Sequence, residues 1–296
     1  MRDVVNRLVR AVDTWLFAPG RGSRVWGLRT GFAALFAIRL AVGEYRGLAG
    51  QPSALFHPPS FWRVLDQMPS IEVLTVLQVV GTVLAVLAVL SWRPRWTFAG
   101  AWLCFVFLEG LVGSRVKISH NEVMAILASF PILAAPVVVS WRDRDEDPAR
   151  GWPHRAALVV VAFGYFFTGL GKLREAGLSW ATSDNLKWSL AAGVRSTKPP
   201  TDAIARFIVD HDILANGLAF ATLAVELGFL LILFRPRSRP WFAAVITSFH
   251  LGIYLTLGLD YFSWVAAVII VLLPWEGLVP RVQARSAKRA MSPSTS

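Results

Sequence analysis

Cysteine is all but missing from this 296-residue chain, and charge is scarce, with Asp, Glu, Lys and Arg making up only 17% of it. A lone Cys104 excludes an internal disulfide and any cysteine-ligated zinc or iron–sulfur centre. Its setting, Trp102-Leu103-Cys104-Phe105, is that of a small hydrophobe. No glycine-rich phosphate loop, HExxH pair or internal repeat occurs, and no metal site is expected. The shortage of charge decides the class. With 55% hydrophobic residues and a mean hydropathy of +0.51, a soluble domain of this size could not cover its own surface with polar side chains. A soluble enzyme is thereby excluded, and the lipid bilayer becomes the first partner.

A hydrocarbon core of about 30 Å needs roughly 20 apolar residues as a helix. Eight segments qualify, near 26–46, 72–91, 97–114, 121–140, 156–173, 214–234, 241–258 and 261–276. The second is the cleanest. It stops at Trp92-Arg93-Pro94-Arg95, an interfacial aromatic followed by charge and a helix breaker. The expected fold class is all-α, a polytopic membrane helix bundle.

Acids number 19 against 30 Lys and Arg, a formal net charge of +11. In a soluble protein that excess would suggest nucleic acid, but here its placement argues otherwise. If eight spans is right, 18 basic residues fall on one side, in the amino terminus, the 93–95, 142–155 and 235–239 loops and the tail, and ten on the other; Arg29 and Arg39 lie inside the first span. The positive-inside rule makes both termini cytoplasmic, and no nucleic-acid partner is expected. In a bacterium the destination is the inner membrane, with the less basic face outside.

Residues 1–25 read as a cytoplasmic amphipathic segment, with Val4, Val5, Leu8, Val12, Trp15 and Leu16 on one face, and not as a cleaved signal peptide. Residues 26–277 form the membrane domain, and 278–296 a polar, disordered cytoplasmic tail. Two loops, about 47–70 and 174–213, are too long to be mere connectors. Within the second, Trp180, Ser183, Leu186, Lys187 and Leu190 keep a helical period and predict a short helix on the membrane surface.

Ionisable groups at bilayer depth are expensive, so each is a candidate site. Arg39, Glu109, His120 and Lys172 fall in the outward parts of the first, third, fourth and fifth spans, and Glu226 and His250 near the middle of the sixth and seventh. Gathered together they would nearly cancel in charge. Each also has a plain structural reading. Lys172 could snorkel to the headgroups, Ser119-His120-Asn121-Glu122 could start a helix, and Arg39 with Glu109 could be an ion pair. In Gly169-Leu170-Gly171-Lys172-Leu173 the two glycines admit a neighbouring helix or a flat ligand beside an amine that desolvation can tune into a general base.

Several of these segments resemble a known family. Tyr165-Phe166-Phe167-Thr168-Gly169-Leu170-Gly171-Lys172-Leu173 followed by Trp180, Phe249-His250 followed by Phe262, and His120 leading a helix to Pro131 are similar to segments of the HTTM family. HTTM, the horizontally transferred transmembrane domain, is the membrane domain shared with vitamin K-dependent gamma-carboxylase. The resemblance spans roughly residues 25–275 and implies that Lys172 is the base that deprotonates a vitamin K hydroquinone or menaquinol, with His120 beside it. Oxygen addition would then generate a strong base that removes a glutamate gamma proton, and CO2 would add to a secreted peptide at the extracytoplasmic face. Arg39, Glu109, Asn121, Gly169, Gly171, Trp180, Glu226 and His250 are the expected quinol-binding residues. The alternative is a non-catalytic membrane protein for export, maturation or immunity of a secreted peptide or toxin.

Overall fold

The computed structural model describes residues 2–114, 121–194 and 201–278. Almost everything regular in it is helix: α1 (Arg2–Leu16), α2 (Gly22–Val42), α3 (Ile71–Val89), α4 (Pro94–Val112), α5 (Val123–Leu133), α6 (Pro148–Ala176), α7 (Ser179–Thr182), α8 (Asn185–Val194), α9 (Thr201–Val209), α10 (Asp212–Gly228), α11 (Leu231–Phe234), α12 (Arg239–Leu257) and α13 (Phe262–Leu272). The strands are two residues each, β1 (Gly20–Arg21) paired antiparallel with β2 (Glu146–Asp147). Five stretches are long and apolar enough to cross a bilayer: α2, α3, α4, α6 and Pro236–Leu257, which contains α12. The protein is an α-helical membrane bundle.

All eight apolar segments of the sequence are helical, but three depart from simple spans. The sixth is divided between α10 and α11, and α10 is itself bent by 102° from α9, which falls in the stretch read as a loop. Helices α5 and α13 have 11 residues each, about 16 Å at 1.5 Å per residue, half of a hydrocarbon core. The cause in α5 is proline. Pro136 lacks an N–H and disfavours helical backbone at the residue before it, so the helix stops at Leu133 and 134–140 leave it although most of them are as apolar as it is. Helix α6 errs the other way, running 29 residues against the 18 expected, because Asp147 caps it and Pro148 starts it well before the apolar run.

Helix α2 is the axis of the bundle. Its Leu28, Phe32, Phe36 and Leu40 are fully buried, and the Phe36 ring stacks on Phe105 of α4 at 4.7 Å. The outside of the bundle is apolar too, with Val76, Val79, Val83 and Val86 of α3 exposed in a stripe that only lipid chains would cover. Cys104 is half-buried where α3 and α4 meet, and a Cβ on the facing Gly81 would lie 2.7 Å from the Cys104 Cβ. It serves as a small residue permitting close helix approach.

The contacts sort the loops by end. At one end β1 meets β2, Arg21 pairs with Glu146 at 2.5 Å, Arg24 pairs with Glu276, and Arg29 donates to Ser91 Oγ at 3.0 Å. The segment before α2, the turn after α3, the loop before α6 and the residues just after α13 therefore lie together, and the first three carry or adjoin arginine clusters noted in the sequence. At the opposite end the 47–70 segment folds over α4. His57 N–H donates to Ser114 O at 2.7 Å, and the Trp62 indole donates to Phe107 O at 3.2 Å across Gly110.

Candidate functional site

Tyr165, Gly169 and Lys172 fall at i, i+4 and i+7 of α6 and so share one face. That face meets α10. A Cβ on Gly169 would lie 2.9 Å from the Glu226 Cβ, so the glycine is what lets the two helices close. Three residues on, the Lys172 ammonium donates to Glu226 Oε1, and the two form an ion pair. The Glu226 side chain is 4% exposed and that of Lys172 23%, so the amine can be approached from outside while the carboxylate cannot. Glu226 Oε2 is buried without a hydrogen-bond partner among the described residues.

Above the pair sits an aromatic lid. Helix α6 ends at Gly177, whose φ of 59° and ψ of −150° belong to glycine alone. The reversal turns α7 back across the end of α6 and brings the Trp180 ring over Lys172 Nζ at 4.7 Å, a cation–π contact. Trp180 is steadied from behind by Ala181, Ala219 and Leu223. On the other flank of Lys172, Gly171 borders open space among the described residues, with none of their atoms within 4 Å of where its Cβ would be.

Two turns back along α6 from Lys172, Tyr165 Oη and His250 Nε2 share a 2.8 Å hydrogen bond. Phe229 stacks on the Tyr165 ring at 4.5 Å, Trp264 meets it edge-on at 5.5 Å, and Tyr261 lies 5.2 Å from the imidazole. His250 Nδ1 is buried and unpartnered among the described residues. A second polar group surrounds Arg39. It pairs with Glu122 at 2.6 Å, outside hydrogen-bonding angles, and with Asp260 at 2.8 Å. The Asp260 carboxyl is partly buried, which would push it up, but the Phe262 N–H at 2.8 Å and Arg39 together hold it below its ordinary value. Residues 260–264 tie the two groups together, with Asp260 on Arg39 and Tyr261 and Trp264 against His250.

The sequence expectations divide accordingly. Lys172, Glu226, Gly169 and Trp180 meet. His250 is near but bonded to Tyr165, which had been noted only as part of a motif. The structural reading in which Arg39 and Glu109 pair directly is modified: Arg39 binds Glu122 and Asp260, with Glu109 close enough to act on it electrostatically, and Glu109 accepts a 2.5 Å hydrogen bond from the Tyr45 hydroxyl. The reason is position, since Glu122 and Asp260 stand at the mouths of α5 and α13, where Arg39 ends. Gly171 packs against nothing among the described residues, and Asn121 is half-buried beside Glu122. His120 lies outside the described residues. The helix predicted over 180–190 is two, α7 and α8, broken at Ser183-Asp184. Glu122, Asp260 and Tyr45 were missed because acids and tyrosines at loop edges look solvated in a sequence; Gly177, by contrast, carried a readable signal as a glycine ending a helix in basic residues. No group of three or more metal-ligating side chains occurs among the described residues.

Comparison with protein-family models, with characterised proteins and with solved structures gives no match, so the reading of this site rests on its own chemistry.

Proposed function

We propose that the chain crosses the membrane eight times with both termini in the cytoplasm, and that Lys172 and Glu226 form a proton-transfer pair at its extracytoplasmic end, acting on a quinol in the manner the HTTM resemblance implies. The observation that carries this reading is an amine held between a buried carboxylate and an aromatic face, with one flank left open.

The pair fits an apolar ring bearing an acidic hydroxyl. Gly171 leaves room for a flat group beside the amine, and Leu170 and Phe167, 41% and 59% exposed, offer an apolar approach from the lipid side. A quinol, when bound, supplies a hydroxyl whose oxidation with O2 can drive removal of an unactivated proton from a peptide and its carboxylation by CO2. The protein's own part is proton handling. Glu226 Oε1 accepts the proton that Lys172 Nζ carries, which converts a charged pair into a neutral one at low dielectric cost. Lys172 Nζ, now with a free lone pair, takes a hydroxyl proton, and the Trp180 face stabilises the ammonium that results. Burial of Glu226 keeps water from returning that proton to the wrong group.

The experiment is mass spectrometry of the protein in nanodiscs given reduced vitamin K1 or menaquinol and oxygen. Quinone 2,3-epoxide in the wild type and none in a folded Lys172→Ala variant is the expected result. No epoxide from folded, quinol-saturated wild type contradicts the reading and favours the non-catalytic alternative, in which the same ion pair is a strut of a bundle serving a secreted peptide.

A further inference from the structure

Helix α1 is the element that the bundle leaves uncovered. None of its 15 residues is buried, and Val4, Val5, Leu8, Val9 and Val12 are 50% to 62% exposed. At 3.6 residues per turn these five share one arc of about 160° with Ala11 and Trp15. Arg2 and Arg7 border that arc on its two edges, and Asp3, Asn6, Arg10 and Asp13 take the opposite side. Valine is a weak helix former, and a lone helix of this length is marginal in water, so α1 needs a surface on which to bury its apolar arc. Among the described residues none supplies it, since nothing on α1 is buried.

The carboxyl end of α1 fixes its height against the bundle. Arg155 of α6 donates to Ala18 O and, at 3.2 Å, to Pro19 O, just past the end of α1, and a Cβ on Gly20 would lie 2.5 Å from the Gly151 Cα. Arg155 is the last charge on α6 before 156–171, the charge-free stretch that makes this helix apolar enough to cross a bilayer. The exit of α1 is therefore held at the level where the hydrocarbon begins, on the arginine-rich side. A helix leaving at that level buries a single apolar arc by lying along the leaflet, with the arginines on its edges reaching to the phosphates. Arginine on both edges suits a plane of phosphates better than a second copy of α1, whose own arginines would face them.

We propose that α1 lies in the plane of the leaflet at the arginine-rich end with Val4, Val5, Leu8, Val9 and Val12 among the acyl chains, so that the partner of this face is the lipid surface itself. The test uses the full chain with Cys104→Ala and an environment-sensitive fluorophore attached at Leu8→Cys or at Arg10→Cys, in nanodiscs of mixed phosphatidylcholine and phosphatidylglycerol. Bromine on the acyl chains should quench the Leu8 label several-fold more than the Arg10 label, and iodide in the water should do the reverse. A Leu8 label as open to iodide as the Arg10 label would mean that α1 stands in water, and one shielded from both quenchers would mean that protein, such as a second copy, covers it. Either result overturns the proposal. If the Cys104→Ala background does not fold, the cysteine-intact chain gives a second measurement. Leu8→Asp combined with Val12→Asp should speed trypsin cleavage after Arg7 and Arg10 several-fold while leaving the unfolding temperature of the bundle unchanged, because both side chains are exposed. Cleavage no faster than in wild type would overturn the proposal as well.

Discussion

Gly169 and Gly171 look alike in the sequence, two small residues leading to a lysine, yet they do different work. A methyl group at Gly169 would meet the Cβ of Glu226 at 2.9 Å, whereas one at Gly171 would meet nothing within 4 Å. Gly169→Ala should therefore push α6 from α10, lower the unfolding temperature by the equivalent of about 1–3 kcal/mol and loosen the ion pair. Gly171→Ala should leave stability unchanged or slightly improved, since alanine is the better helix former. Differential scanning fluorimetry of the two variants separates them. Asp260 makes a second prediction. Its folded-state value is depressed, so its contribution is present above the unfolded-state value near 4 and is lost as pH falls through the folded one. The stability gap between wild type and Asp260→Asn should be widest at neutral pH and narrow progressively as pH is taken below the unfolded-state value. A gap that does not change with pH would mean that Arg39 gains nothing from the Asp260 charge.

At the scale of elements, what could be read from the sequence was whatever periodicity and hydropathy encode. The stop of α3 before Trp92 and the start of α4 at Pro94 were legible because proline and interfacial aromatics mark boundaries locally. The bend between α9 and α10, the early end of α5 and the split between α7 and α8 were not, because α9 sits in a stretch read as a loop up to Asp210-His211-Asp212, apolar composition continues past the end of α5, and helical period runs through the break between α7 and α8. Local chemistry decided them instead: Pro136 after α5, and for α7 the reversal at Gly177. That reversal carries a prediction. Only glycine suits its backbone, so Gly177→Ala should cost about 1–3 kcal/mol and displace Trp180 from Lys172. Unfolding temperature reports the first effect, and faster modification of Lys172 by an amine-reactive reagent the second. Equal labelling in wild type and variant would show that Trp180 does not shield the amine.

Across the whole molecule, charge divides the bundle into two ends of different character. Charge counting grouped the amino-terminal segment with the 93–95 and 142–155 loops and the tail; the contacts of Arg21, Arg24 and Arg29 bring the amino-terminal segment, the turn after α3, the loop before α6 and Glu276 to one end, and the basic tail lies outside the described residues. The opposite end gathers the costly intramembrane groups, as their mutual need for neutralisation required, but in two clusters and with partners that hydropathy could not name. Glu226 as the partner of Lys172 was within reach of the sequence, being mid-span and unable to contact water. Glu122 as the partner of Arg39 was not, because a glutamate at the head of a helix has every appearance of a cap. The central claim is that Lys172 acts through its proton and not only through its charge. Replacing it with Arg keeps charge and reach but removes a group that can be deprotonated. The decisive measurement is quinol epoxidation by Lys172→Arg beside its unfolding temperature: the account predicts a bundle as stable as wild type that forms no epoxide, and epoxide formed at the wild-type rate would contradict it.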